Sequence, residues 1–172
     1  MLDEQKELRL MTVETGAVGP QVGSAAPSLS LPSHFGEVLS LDECRRRADV
    51  DRVLVVFFPF AYSPVCGSEM RQLARLYENL LAGGTEVVAV SCDPKYTLAA
   101  WAQDLELPFV LLSDFWPHGA AAKAFGAFDD DRGFARRFTF LINAEGAVVD
   151  VEHSLDGTQR DFARFASSAR DL

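Results

Sequence analysis

The run Val53-Leu54-Val55-Val56-Phe57-Phe58 limits what this chain can become more than any other stretch. Six consecutive apolar residues, β-branched, aromatic or leucine, with no polar alternation, suit a strand buried on both faces, as in a parallel sheet covered by helices. Pro59 ends the run, and Ser63-Pro64 then signals a helix start. Serine at the N-cap accepts a bond from a free backbone N–H, and proline at the first helical position has no N–H to lose. Val65, Met70, Leu73, Leu76, Tyr77, Leu80 and Leu81 recur at helical spacing, so a helix is expected from Pro64 to Ala82, ended by Gly83-Gly84.

Cys66 falls on the first turn of that helix, at the position where a capping box would place a carboxylate. Free backbone N–H groups and the positive end of the helix dipole converge there and favour a thiolate. The competing reading of a free cysteine is a small buried hydrophobe. The residues around Cys66 decide between them. Pro59, Ser63 and Cys66 form P-x-x-x-S-x-x-C, which resembles the active-site signature of peroxiredoxins, placed after a buried strand and opening a helix. The resemblance implies that Cys66 is the peroxidatic nucleophile, that Ser63 hydrogen-bonds thiolate and peroxide, and that Pro59 shields the pocket from water. Serine stands where threonine is commoner, keeping the hydroxyl and losing a methyl.

The rest of the chain alternates strands and helices. Residues 1–18 are polar and read as an extension, either mobile or packed on a partner subunit, ahead of a domain over 19–172. Val22 to Leu41 suggests two short strands turning at His34-Phe35-Gly36, similar to the β-hairpin that opens peroxiredoxins, with Leu29 in place of the usual phenylalanine. Asp42 to Ala48 reads as a short helix carrying Cys44 among three arginines in an exposed setting. A strand over Glu86–Ser91, a helix over Lys95–Leu105, a strand over Phe109–Leu112 and an alanine-rich helix to Phe125 follow. Gly126 to Gly133 reads as an acidic loop. Arg137–Ile142 and Ala147–Glu152 make a hairpin around Asn143-Ala144-Glu145-Gly146, and Asp161–Arg170 a closing helix. This order specifies an α/β fold with a central mixed sheet flanked by helices and an N-terminal β-hairpin, the thioredoxin-like order. Its ligand edge is the carboxyl end of the strands, where Cys66 sits.

Composition narrows the partners. A net charge of −9 over 172 residues argues against nucleic acid or an anionic membrane surface. No apolar run approaches the roughly 18 residues of a spanning helix, and the acidic start is no signal peptide, so a cytoplasmic protein is expected. Three cysteines, Cys44, Cys66 and Cys92, make no disulfide framework, and His34, His118 and His153 lack metal-ligand spacing, so neither metal nor cofactor is expected.

Two further residues complete the candidate site. Arg137 opens R-F-T-F-L-I-N-x-x-G, which resembles the phrase carrying the peroxiredoxin arginine, and a guanidinium there serves thiolate and peroxide together. Its neighbour Arg136 points the other way on a strand. Glu69, one turn after Cys66, is either part of the arginine network, as often in the family, or a first-turn acid complementing the helix dipole. Trp101, Phe115 and Trp116 line a pocket mouth or belong to the core, and His118 is a helix-start or surface residue.

Leu54–Cys66 (LVVFFPFAYSPVC) and Phe109–Gly119 (FVLLSDFWPHG) are similar to the alkyl hydroperoxide reductase E type. That type implies a one-cysteine peroxidase acting on hydrogen peroxide, alkyl hydroperoxides or peroxynitrite. Its sulfenic acid is recycled by an external low-molecular-weight thiol or a mycoredoxin- or thioredoxin-like protein. It also implies a homodimer paired through the loops around the site. The family's helix-located resolving cysteine falls on Arg71 here, Cys92 reads as a core thiol, and Cys44 matches no resolving position. Two other classes compete: a peroxide sensor or relay that hands its oxidation to a partner protein, and a thioredoxin-fold binding module with an inert Cys66.

Overall fold

Alternation along the central strand sets the architecture. The computed structural model describes residues 19–154 and 157–167, so the expected extension over 1–18 lies outside the described residues. In chain order the elements are β1 (Ser30–Pro32), β2 (Val38–Ser40), α1 (Leu41–Arg45), β3 (Arg52–Phe57), α2 (Pro64–Ala82), β4 (Thr85–Ser91), α3 (Lys95–Asp104), β5 (Val110–Ser113), α4 (Ala120–Ala124), β6 (Phe128–Asp129), β7 (Phe134–Ala135), β8 (Arg137–Asn143), β9 (Val148–Ser154) and α5 (Ala163–Ser167). The main sheet has the order β5-β4-β3-β8-β9. β3 runs parallel to β4, which pairs parallel with β5, whereas β8 is antiparallel to both β3 and β9.

β3 is the middle strand, and its side chains feed two cores. Val53, Val55 and Phe57 join Phe125, Phe138, Phe140 and the residues of β1, α1 and α4 on one face. Leu54, Val56 and Phe58 join Cys66, Met70, Leu73, Leu80, Leu98 and Trp101 on the other. All six side chains from Val53 to Phe58, five of them on β3, are fully buried, which is why the run has no polar alternation. At about 1.5–3 kcal/mol of transfer free energy for each large apolar side chain, this strand anchors both layers.

α2 begins and ends where its sequence signals place it. Ser63 is the N-cap in an extended conformation, Pro64 opens the helix, and Gly83 closes it by bonding back to Asn79 and Leu80. Gly84 follows with φ +77°, a conformation only glycine adopts without strain.

Three expectations change. The acidic loop holds a small hairpin in which Phe128 pairs with Ala135; two-residue strands are too short to show periodicity. The closing helix starts at Ala163, because the Asp161 carboxylate accepts from Ala163 N at 3.0 Å and from Gln72 Nε2 at 2.9 Å and works as a turn residue; its expected end lies outside the described residues. Cys44 is buried, not exposed. The Ser40–Glu43 capping box sets α1 so that Leu41 and Cys44 face the core, while the following arginines pair with Asp42 and Glu86. Among the described residues no helix is long and apolar enough to cross a membrane.

Candidate active site

Three pieces of chain, distant in sequence, meet at the carboxyl end of β3. The first turn of α2 presents Cys66, whose backbone N donates to Ser63 Oγ at 3.4 Å. That cap leaves the serine hydroxyl hydrogen free to donate elsewhere. Arg137, the first residue of β8, shares strand parity with Thr139 and Leu141 and so faces α2, while Phe138 and Phe140 enter the opposite core. Its Nη2 lies 3.4 Å from Cys66 Sγ and its Nη1 donates to Glu69 Oε2 at 2.8 Å. Arg136 lies on the other side, 3.7 Å from Asp129.

The third piece is Arg160, in the irregular segment between β9 and α5. Its backbone N and Nε donate to Glu69 Oε1 at 2.9 and 3.0 Å, and its Nη2 donates to Glu69 Oε2 at 2.8 Å. Nη1 reaches Phe138 O at 2.9 Å and Thr139 Oγ1 at 3.1 Å. Glu69 is fully buried and saturated by donors from two arginines. A buried charge needs such compensation, since an unpaired one costs several kcal/mol (about 3–5). Of the two readings of Glu69, the arginine network is the one the geometry supports. Two guanidiniums and one carboxylate leave a single positive charge beside Cys66 Sγ.

Pro59 is half-buried at the end of β3. The loop after it is pinned to the β4 end: Ala61 N donates to Asp93 Oδ2 at 2.9 Å, and Ser91 Oγ donates to the same oxygen at 2.7 Å. Tyr62, next to the cap, has φ +66°, a left-handed conformation that costs a bulky residue about 1–2 kcal/mol. Its hydroxyl donates to Asp104 Oδ2 at 2.8 Å and holds it there.

A thiol on a helix N-terminus with a guanidinium at 3.4 Å, one face of a mixed sheet and a P-x-x-x-S-x-x-C loop match one family. Residues 22–151 fit the model of the AhpC/TSA family. The chain belongs to the AhpC/TSA family of peroxiredoxins. It is 34% identical over 140 residues to alkyl hydroperoxide reductase E of Mycobacterium tuberculosis, covering 81% of this chain and 90% of that one. Alkyl hydroperoxide reductase C of Escherichia coli K12 is 32% identical over 109 residues, 61% of this chain and 57% of the relative. Among solved structures, peroxidoxin BcpB from Mycobacterium tuberculosis superposes with a TM-score of 0.80 at 24% identity, over 89% of this chain and 98% of the other. The reduced 2-Cys peroxiredoxin of Plasmodium vivax gives 0.74 at 23% identity, over 86% and 79%. These neighbours establish the thioredoxin-like fold. As a peroxiredoxin the chain is a thiol-dependent peroxidase, an oxidoreductase.

In this peroxiredoxin the other two thiols lie elsewhere. Cys44 is buried, and desolvation, reinforced by the Glu86 and Glu43 carboxylates and only partly opposed by Arg47, pushes its thiol up to about 11. That corrects the expectation that neighbouring arginines lower it. Cys92 is buried at the end of β4, and burial with the nearby Asp114 carboxylate pushes it up to about 12. Both are neutral core thiols at physiological pH. The position five after Cys66, Arg71, is exposed on α2.

Trp101 is buried against Phe58, with ring centroids 5.4 Å apart, and also faces Tyr62 at 6.1 Å, whereas Phe115 and Trp116 are exposed. His118 is exposed beside the start of α4, with Nε2 at 2.7 Å from Gly133 O. Sequence reading missed Arg160. It lies outside any periodic segment and any quoted motif, and a lone arginine in polar chain ordinarily reads as a solvated charge.

Proposed function

We propose that Cys66 is the peroxidatic residue of a one-cysteine peroxidase. The observation that carries this reading is Arg137, which donates toward Sγ and is itself held by Glu69. A thiolate on Cys66 balances the one positive charge of the Arg137–Glu69–Arg160 cluster. Its lone pair attacks one peroxide oxygen, the O–O bond breaks, and Cys66 becomes a sulfenic acid; the second oxygen leaves as water or an alcohol after taking a proton, or within nitrite when the substrate is peroxynitrite. Arg137 and the Ser63 hydroxyl hold the peroxide in line with sulfur and stabilise the negative charge on the departing oxygen. Pro59 keeps bulk water from the reacting atoms.

The substrates are hydrogen peroxide, alkyl hydroperoxides or peroxynitrite. With Cys44 and Cys92 neutral and buried, the sulfenic acid is reduced by an outside thiol, either a small thiol or a mycoredoxin- or thioredoxin-like protein. The enzyme works as a cytoplasmic homodimer paired through the loops around the site.

Stopped-flow tryptophan fluorescence of the reduced protein mixed with peroxide tests this, because buried Trp101 packs beside the Tyr62–Ser63 turn. A fast second-order phase that is lost in Cys66→Ser is expected. Equal, slow reaction of wild type and mutant would overturn the assignment.

A further inference from the structure

Beside the turn that carries Cys66 lies a cavity of about 320 Å³. Ser63 and Gly67, which flank Cys66 on the first turn of α2, form one wall, and Trp101 of α3 forms the apolar wall opposite. Two charges line it, Arg71 and Asp104. They are not equivalent. Asp104 is engaged by the Tyr62 hydroxyl at 2.8 Å, whereas Arg71 has no hydrogen-bond or ion-pair partner among the described residues. Gly67 shapes its position: a Cβ there would meet Arg71 Nη1 at 3.3 Å, so the missing side chain lets the guanidinium lie across the turn. A free, planar fork of donors over a cavity of small-molecule size recognises a carboxylate.

We infer that this cavity receives the reductant, and that the reductant it takes best is a small thiol bearing a carboxylate, bound by Arg71. The inference rests on Cys66 being the residue oxidised. The carboxylate pairs with Arg71, the thiol's carbon chain lies on Trp101, and its sulfur is held beside the Cys66 turn. That sulfur attacks the sulfenic sulfur as the turn loosens. The S–O bond breaks, hydroxide leaves and takes a proton to become water, and an S–S bond joins Cys66 to the thiol. A second molecule of the thiol attacks that mixed disulfide, returning Cys66 as thiolate and releasing the reductant's disulfide. Asp104 acts in the opposite sense: its charge weakens anion binding, so the two side chains together tune which thiols dock.

Three probe thiols of similar size and different charge test this: 3-mercaptopropionate, 2-mercaptoethanol and cysteamine. Cys66 is first oxidised with one equivalent of peroxide, and the rate of its reduction is followed by fluorescence. The readout is the rate with 3-mercaptopropionate divided by the rate with 2-mercaptoethanol, compared between variants so that each thiol's own reactivity cancels. Arg71→Gln is expected to lower that ratio about threefold to fivefold, the scale of one solvent-accessible charge pair. Arg71→Lys should restore most of it, and Asp104→Asn, which keeps an acceptor for Tyr62, should raise it. Cysteamine should shift in the reverse direction in each variant. A ratio unmoved by Arg71→Gln and by Asp104→Asn overturns the inference while leaving the peroxidase reading intact. Absence of any peroxide-dependent phase in wild type overturns that reading instead, and this one with it.

Discussion

Two buried glutamates stand near opposite ends of the main sheet, each with arginine and cysteine close by, and the charges left beside the two cysteines differ. At the carboxyl end of β3, Glu69 is bound by Arg137 and Arg160, and Arg137 still has an Nη2 to aim at Cys66. At the start of β4, Glu86 is bound by Arg47 at 3.0 Å, by the Tyr77 hydroxyl at 2.8 Å and by Val87 N at 2.9 Å. One cation there answers one acid, and Arg47, engaged with Glu86, only partly offsets the rise of the Cys44 thiol. That thiol is pushed up by burial and by Glu86 itself. Burial is common to both cysteines. What separates them is the second arginine, which turns a neutral ion pair into a cluster short of one negative charge.

The largest effect that breaks the comparison is removal of the guanidinium at Cys66. Arg137→Ala is expected to slow the reaction of Cys66 with peroxide by about 10²–10³-fold, the loss typical of a donor aimed at charge forming in the transition state. Stopped-flow fluorescence measures it, and a drop under tenfold would show that Arg137 is mainly structural.

Stability is the next axis. Glu69→Gln leaves two guanidiniums facing each other in a buried site and should destabilise the fold by about 3–5 kcal/mol in urea titrations. Glu86→Gln should cost only about 1 kcal/mol, because the Arg47 side chain is 47% exposed and water answers its charge. Equal costs would mean that the two ends are not different in kind. The same Glu86→Gln change should also bring the Cys44 thiol down, since it removes a carboxylate that raises it.

The smallest effects are in pH. Cys44 and Cys92 are raised in the fold, so they stay protonated there after the unfolded chain has begun to lose those protons. Above the ordinary thiol value of 9.0 the unfolded state gains from ionising, and stability should fall as pH rises from about 9 toward 11 for Cys44 and 12 for Cys92. Cys44→Ala and Cys92→Ala each flatten part of that slope. In the folded protein at pH 8, iodoacetamide should leave both thiols unlabelled until denaturant is added.

The sequence reads best where one chemical signal has one local meaning. The unbroken apolar run of β3, the Ser63-Pro64 start and the Gly83-Gly84 stop locate β3 and α2, because buried strands and helix caps are written in adjacent residues. Arg137 was legible through strand parity and its motif. Arg160 was not, because its meaning lies in Glu69, brought beside it only by the tertiary fold. Cys44 misled for the same reason. Three arginines follow it in sequence, yet the capping box at Ser40 turns the thiol inward and sends the cations to Asp42 and Glu86. The β6–β7 hairpin escaped because strands of two residues carry no period.

The charge cluster also has a history in time. Glu69 and Arg160 are separated by 91 residues, and Arg137 by 68 from Glu69 and 71 from Cys66. Contacts across such loops form late, because chain entropy must be lost before they return any energy. A chain still folding therefore carries Cys66 without its neighbouring cations. The contacts of Cys66 and Glu69 with the two arginines are complete only when β8 and the segment after β9 have closed over α2. The surroundings of Cys66 proposed for peroxide reaction are therefore a property of the finished fold and of no single segment.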